Sequence, residues 1–159
     1  MAKVISFGEI MLRLEPQWYY RFVQAASFGA TYGGAEANIA VSLANFGLQA
    51  AFVTKLPQHE IGQAALNSLR QYGVDTDHIA RGGERIGIYF LEKGAAQRPS
   101  KVIYDRAYLA ISPEKPGNVD WEKVFEGVDW FHITGITPAI SKSAMEPFLE
   151  SVKEAKKRN

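Results

Sequence analysis

A chain of 159 residues, 47% apolar and 22% charged, is long enough for one domain with a substantial core and too short for two ordinary ones. Its formal net charge of +1 argues against a nucleic-acid-binding surface; the one basic cluster, Lys156-Lys157-Arg158, lies at a predicted helix end, where cations match the dipole. The lack of cysteine excludes disulfides and thiolate chemistry, and neither a signal peptide nor a membrane-spanning run is readable, so a cytoplasmic protein is expected.

Val4 to Gly8 reads as a short buried strand of a parallel sheet. Ile10, Leu12 and Leu14 alternate with Glu9, Met11 and Arg13, which predicts a strand with two different faces, ended by Pro16. The aromatic segment from Gln17 to Thr31, with Trp18, Tyr19, Tyr20, Phe22 and Phe28, has no clear period and reads as loop plus short strands. Gly33-Gly34 then opens a helix over about 35–46, with Ile39, Leu43 and Phe46 on its apolar face. Adjacent glycines give access to positive φ and remove side chains that would hold a ligand off, and the unpaired N–H groups of the helix start suit a small polar or anionic ligand. A tight turn that only joins strand to helix is the competing reading.

Gly47-Leu48 matches the left-handed glycine cap that ends a helix, and Ala50 to Thr54 follows as a strand. A second helix is predicted over about 60–72, with Ile61, Ala65, Leu69 and Tyr72 aligned and the same cap chemistry in Gly73-Val74. Strand, helix, glycine cap, repeated, is the cadence of a parallel α/β sheet. The middle breaks it. His78 to Arg81, Gly82-Gly83 and Ile86 to Glu92 read as a hairpin, and Lys101 to Arg106 returns as another strand after a turn over Gly94 to Ser100. Three strands without helices suggest an antiparallel flap or lid able to pair with the Ile10–Leu14 strand. Alternation puts Gly87, Tyr89 and Leu91 on one face of the first strand, and Val102, Tyr104 and Arg106 together on the next. Further on come a short helix at Trp121–Phe125 capped by Asp120, a strand within Val128–Gly135, and a last helix. Ser143-Ala144-Met145-Glu146 has capping-box spacing, with Pro147 able to shift the start, and Met145, Leu149 and Val152 line the helix. The chain stops on a helix where an α/β sheet calls for a strand, so a truncated domain is expected.

No phosphate-loop pattern and no GxGxxG after a strand occurs, and the glycines at 82, 83 and 87 are explained by a turn. His59, His78 and His132 are scattered, without metal-ligand spacing, so no metal is assigned. The best constellation is Arg106 with Tyr104 and Tyr89. A guanidinium fork suits a carboxylate, and two phenols can hydrogen-bond hydroxyls or a keto oxygen, so the set would bind a small sugar acid. Packing of the lid aromatics, with Arg106 paired to Glu92 or Asp105, accounts for the same residues equally well.

Gly8-Glu9-Ile10-Met11-Leu12-Arg13-Leu14, Thr31-Tyr32-Gly33-Gly34-Ala35-Glu36-Ala37-Asn38, Phe52-Val53-Thr54-Lys55-Leu56-Pro57, Ile86 to Glu92 and Val102 to Ala107 resemble the 2-keto-3-deoxygluconate kinases of the ribokinase-like (PfkB) carbohydrate kinase family. The resemblance spans essentially all 159 residues in order. It implies an α/β fold, a ribokinase-like parallel sheet with flanking helices plus a small antiparallel β lid whose strands lie around 9–31 and 78–106, truncated after its N-terminal half. It also implies that Gly34, Tyr89, Tyr104 and Arg106 contact the sugar acid, with Arg106 on the carboxylate and Asn38 near the sugar. The Gly33-Gly34 turn would lie near the lid hinge.

Relatives of this kind are roughly twice as long, and the resemblance places their Gly-Ala-Gly-Asp motif, catalytic base, anion hole and most of the ATP site in the second half. Residues 108–110 and 58–60 also depart from the family pattern. Resemblance therefore implies ATP-dependent phosphorylation of the terminal hydroxyl with Mg2+ in an intact enzyme. In this chain it implies no catalytic residue, no metal ligand and no strong cofactor site. A fructokinase-like enzyme for a neutral sugar is one alternative. A non-catalytic module that self-associates through lid strands or an exposed sheet edge is another, and a homo-oligomer is expected. No nucleic-acid or membrane partner is expected.

Overall fold

The computed structural model describes residues 1–111, 117–140 and 142–158, the side chains of 137, 140 and 142–144 excepted. In chain order the strands are β1 (Lys3–Phe7), β2 (Met11–Pro16), β3 (Phe28–Gly33), β4 (Gln49–Leu56), β5 (Ile79–Arg81), β6 (Gly87–Glu92), β7 (Lys101–Asp105) and β8 (Trp130–His132). The helices are α1 (Ala35–Asn45), α2 (Glu60–Arg70), α3 (Trp121–Val124), α4 (Ile136–Ile140) and α5 (Lys142–Lys156), with a short 3-10 turn at Phe22–Gln24.

Two four-stranded sheets result. The first has the order β5-β4-β1-β8 and is parallel throughout, with Val4 opposite Ala50 and Ile5 opposite Phe131. Strands buried on both faces explain its apolar sequence. On β4, Phe52 and Leu56 enter a core shared with Ala37, Ala40, Ala65, Leu66 and Leu69 of α1 and α2. Ala51 and Val53 face the opposite way, into a core with Ile5, Phe7, Trp121, Val124 and Phe125. Alternation along one strand thus feeds two layers.

The second sheet has the order β3-β2-β6-β7. It is antiparallel at β2–β3 and β6–β7 and parallel at β2–β6, where Leu12 lies opposite Ile88. The predicted 78–92 hairpin does not form. Ile79–Arg81 pairs in parallel with Thr54–Leu56 of the first sheet, because Ile79 is buried in the α2 core. The chain then crosses to the second sheet through Gly82 and Gly83, with φ of 157° and 74°. A side chain at Gly83 would also lie 2.7 Å from the Ala110 Cα, so the crossing calls for glycine twice over.

The helix stops follow the expected chemistry. Gly47 and Gly73 have φ of 83° and 77°. Beyond them, the Leu48 N–H donates to the Leu43 carbonyl and the Val74 N–H to the Leu69 carbonyl, closing both helix ends. The buried faces differ from expectation. On α1 the buried residues are Glu36, Ala37 and Ala40, while Phe46 is 81% exposed. On α2 they are Gly62, Ala65, Leu66 and Leu69, with Ile61 and Tyr72 exposed. Small residues allow each helix axis to approach the sheet closely, with Leu66 and Leu69 of α2 filling the core beside them and Phe46, Ile61 and Tyr72 left outside.

Asp120 caps α3, its side chain accepting from the Lys123 N–H at 3.1 Å. Helix α5 begins at Lys142 and runs through Pro147, with Met145 and Leu149 exposed. The capping contact expected of Ser143 falls outside the described residues.

Candidate functional site

The Gly33-Gly34 pair lies where β3 hands over to α1, beside the β1–β2 connection. Gly34 is the N-cap of α1 and its φ of −170° is ordinary extended backbone. Neither glycine of the pair adopts positive φ, so conformational freedom is not what the position requires. Close approach is. A Cβ at Gly34 would lie 2.0 Å from the Glu9 carbonyl oxygen, and one at Gly33 would lie 3.3 Å from Asn38 Oδ1 and 3.6 Å from the Tyr89 hydroxyl. Asn38, on the exposed side of α1, turns back to the pair and accepts a long hydrogen bond from the Gly34 N–H at 3.5 Å.

Register brings the other candidates to the same place. Tyr89 on β6 is directly opposite Tyr104 on β7, and their rings lie 6.0 Å apart. Arg106, just beyond the end of β7, sets its guanidinium over the Tyr104 ring at 5.3 Å. Thus Gly33, Tyr89, Tyr104 and Arg106 form a connected series, with Tyr104 57% exposed and open to a ligand. The alternative pairing of Arg106 with Glu92 or Asp105 is not adopted. Asp105 pairs with Arg85 at 2.8 Å, which lowers the Asp105 carboxyl, and Glu92 accepts the Phe22 N–H at 2.9 Å.

Arg106 Nη2 instead donates to Glu9 Oε2. Glu9 is 4% exposed, follows β1, and sits between the two sheets. Burial holds its carboxyl above the usual carboxylate range; the Arg106 guanidinium pulls the other way, and Glu36 adds to the upward shift. Glu36, in the first turn of α1 and 1% exposed, accepts at Oε1 from the Thr134 hydroxyl, while its backbone carbonyl accepts from Ser6 Oγ at 3.0 Å. Two buried carboxylates therefore stand behind the aromatic and cationic surface. Composition and periodicity did not single them out as site residues. Their trace lies in glycines: Cβ atoms at Gly8 and Gly87 would lie 2.3 Å from Glu36 Oε2 and 2.7 Å from Glu9 Oε1.

A cavity of about 690 Å³ opens beside the pair, bordered by Ile10, Thr31, Gly33, Asn38, Asn67 and Tyr72. Among the described residues no group of three or more His, Cys, Asp and Glu side chains could hold a metal ion. No helix among them is long and apolar enough to cross a membrane.

The model of the pfkB family of carbohydrate kinases matches residues 1–159. The chain is similar to a crystal structure of 2-dehydro-3-deoxygluconokinase from Thermotoga maritima, with 56% identity and a TM-score of 0.97 over 99% of this chain and 48% of that one. It is 37% identical to the 2-dehydro-3-deoxygalactonokinase of Haloferax volcanii over 91% of this chain and 45% of the relative. It is 29% identical to the 2-dehydro-3-deoxygluconokinase of Thermoproteus tenax over 99% of this chain and 49% of that protein. The chain spans about half the length of the curated relatives it matches. With a family match that runs from its first residue to its last, the chain belongs to the pfkB family of carbohydrate kinases.

Proposed function

We propose that the chain forms the substrate-binding part of a cytoplasmic sugar-acid kinase. The enzyme transfers the terminal phosphoryl group of ATP to the terminal hydroxyl of 2-keto-3-deoxygluconate. The observation that carries this reading is the juxtaposition of Arg106 with Tyr104 and Tyr89 over the Gly33-Gly34 turn. Arg106 takes the carboxylate, the two phenols take hydroxyl or keto oxygens, and Gly34 allows the backbone to approach the sugar without a side chain between. Names borne by the similar kinases support the same substrate class.

Phosphoryl transfer is mostly positioning and charge stabilisation. The residues above position the acceptor; we assign neither the catalytic base, nor the ATP site, nor ligands for Mg2+ to these 159 residues. The isolated chain is accordingly expected to be catalytically inactive. Arg106→Ala, measured by calorimetry in the protein carrying this chain, is expected to lose affinity for the sugar acid far more than for ATP. Equal losses for both ligands would overturn the assignment. Competition between 2-keto-3-deoxygluconate and fructose separates this reading from a neutral-sugar kinase.

Association of copies through the second sheet is a further part of the reading. It is supported by β7, which is exposed along its whole length and presents Val102 and Ile103 on an edge strand. Sedimentation velocity tests it; a stable monomer at high concentration counts against it.

A further inference from the structure

We propose that Glu9 is a positioning residue that holds the Arg106 guanidinium for a substrate carboxylate, and so makes the site prefer acids to neutral sugars; the inference rests on the sugar-acid reading above. Glu9 lies at the crossing between the two sheets and is 4% exposed, whereas the Arg106 side chain is 28% exposed. The slot around it is built to fit. Gly34 makes room for its carbonyl, and Gly87, with Met11 and Leu109 beside it, makes room for its Oε1. Any larger residue at either glycine would push Glu9 out of place. Oε2 then takes one nitrogen of Arg106, while Oε1 has no hydrogen-bond partner.

A buried carboxylate is costly to desolvate, so its retention in a glycine-lined slot calls for a task that an apolar residue could not perform. Holding Arg106 is such a task. An arginine on the rim of an exposed strand would sample many rotamers, and it would lose that freedom each time a ligand arrived. Pairing through Nη2 restrains the side chain, and on this proposal the remaining guanidinium donors serve the ligand. The ring of Tyr104 holds the guanidinium plane from one side, so carboxylate, aromatic face and cation form one preorganised unit. A neutral sugar gains nothing from that arrangement. A residue that competed with the incoming carboxylate for Arg106 would act with the opposite sign. The two cases predict opposite outcomes on substitution.

The test measures affinity by calorimetry in the protein carrying this chain, for 2-keto-3-deoxygluconate and for its analogue in which the carboxylate is reduced to a hydroxymethyl group. Glu9→Gln keeps the shape and removes the charge. It is expected to weaken acid binding about tenfold while leaving the neutral analogue within about twofold. In an Arg106→Ala background the same Glu9→Gln change is expected to have no further effect on acid discrimination, which keeps the test informative even if Glu9→Gln lowers stability. Equal weakening for both ligands overturns the positioning role, and tighter acid binding shows a competitor instead. Loss of acid binding with Arg106→Ala but not with Glu9→Gln overturns the role of Glu9 alone. Unchanged acid binding in both variants overturns the sugar-acid reading, and the proposal with it.

Discussion

The first sheet and the second are held together by different means. Strands β1 and β4 are buried on both faces, and Ile5 and Phe52 are fully enclosed between helices. In the second sheet β7 is exposed at every position. Its packing comes from contacts among Phe22, Phe28 and Phe90, with centroids 6.0–6.5 Å apart, and from ion pairs such as Arg13–Glu15 and Lys93–Glu15 at 3.1 Å. Stability resides in one sheet and the candidate binding groups in the other. Exposure that would be a liability in a core is what a binding surface needs. The two are joined by Ile10, Ile86, Leu12 and Tyr32, which pack against the α1/α2 core, and by the Glu9–Arg106 pair beside the Gly33-Gly34 turn.

Substitutions graded by depth should separate the sheets. Phe52→Ala, in the α1/α2 core, is expected to cost about 4 kcal/mol of unfolding free energy in denaturant titration. A cost near that of a surface change would break the contrast. Gly34→Ala drives a methyl group to 2.0 Å from the Glu9 carbonyl and is expected to cost about 3 kcal/mol. It should also reduce acid binding, since it moves Glu9. Phe90→Ala, read by the same titration, is expected to cost only about 1.5 kcal/mol, because its ring packs against two neighbours rather than inside a closed core.

The smallest effect is on pH dependence. The Glu9 carboxyl is raised above its ordinary value of 4.5, so the folded state binds the proton more tightly than the unfolded chain. The resulting stabilisation is present below pH 4.5 and is lost as pH rises through the raised folded value. Wild type should therefore lose stability relative to Glu9→Gln over that interval, measured by thermal melts across pH. A difference constant with pH would show that Glu9 does not titrate there.

Local chemistry was legible and long-range pairing less so. The helix stops at Gly47 and Gly73 are written in the residues beside them, and alternation put Tyr104 beside Arg106, whose guanidinium lies over that ring. Two glycines between short strands fit a hairpin as well as a crossing between sheets, and only the burial of Ile79 against α2 decides for the crossing at Gly82-Gly83. On α1 the largest apolar residues suggested the wrong face, because close helix–sheet approach favours Ala37 and Ala40, whereas on α2 Ala65 and Leu69 are buried as expected and Ile61 and Tyr72 are not. At the site, Gly8 read as a strand end, Gly34 as a close approach to a ligand and Gly87 as part of a turn, while the structure shows all three making room for Glu36 and Glu9. A buried carboxylate has no signature in periodicity.

The parallel pairing of β2 with β6 has a consequence for how the molecule assembles. Antiparallel strands can close through a short turn, but Leu12 meets Ile88 only after the chain has laid down α1, β4, α2 and β5 in between. Closing so long a loop is entropically unfavourable until those elements are in place, so the second sheet, with its candidate site, is expected to form late in folding. Any lesion that delays the first sheet during synthesis would then leave Tyr89, Tyr104 and Arg106 unassembled. Failure to mature, rather than loss of a contact, is how distant core substitutions would silence the site.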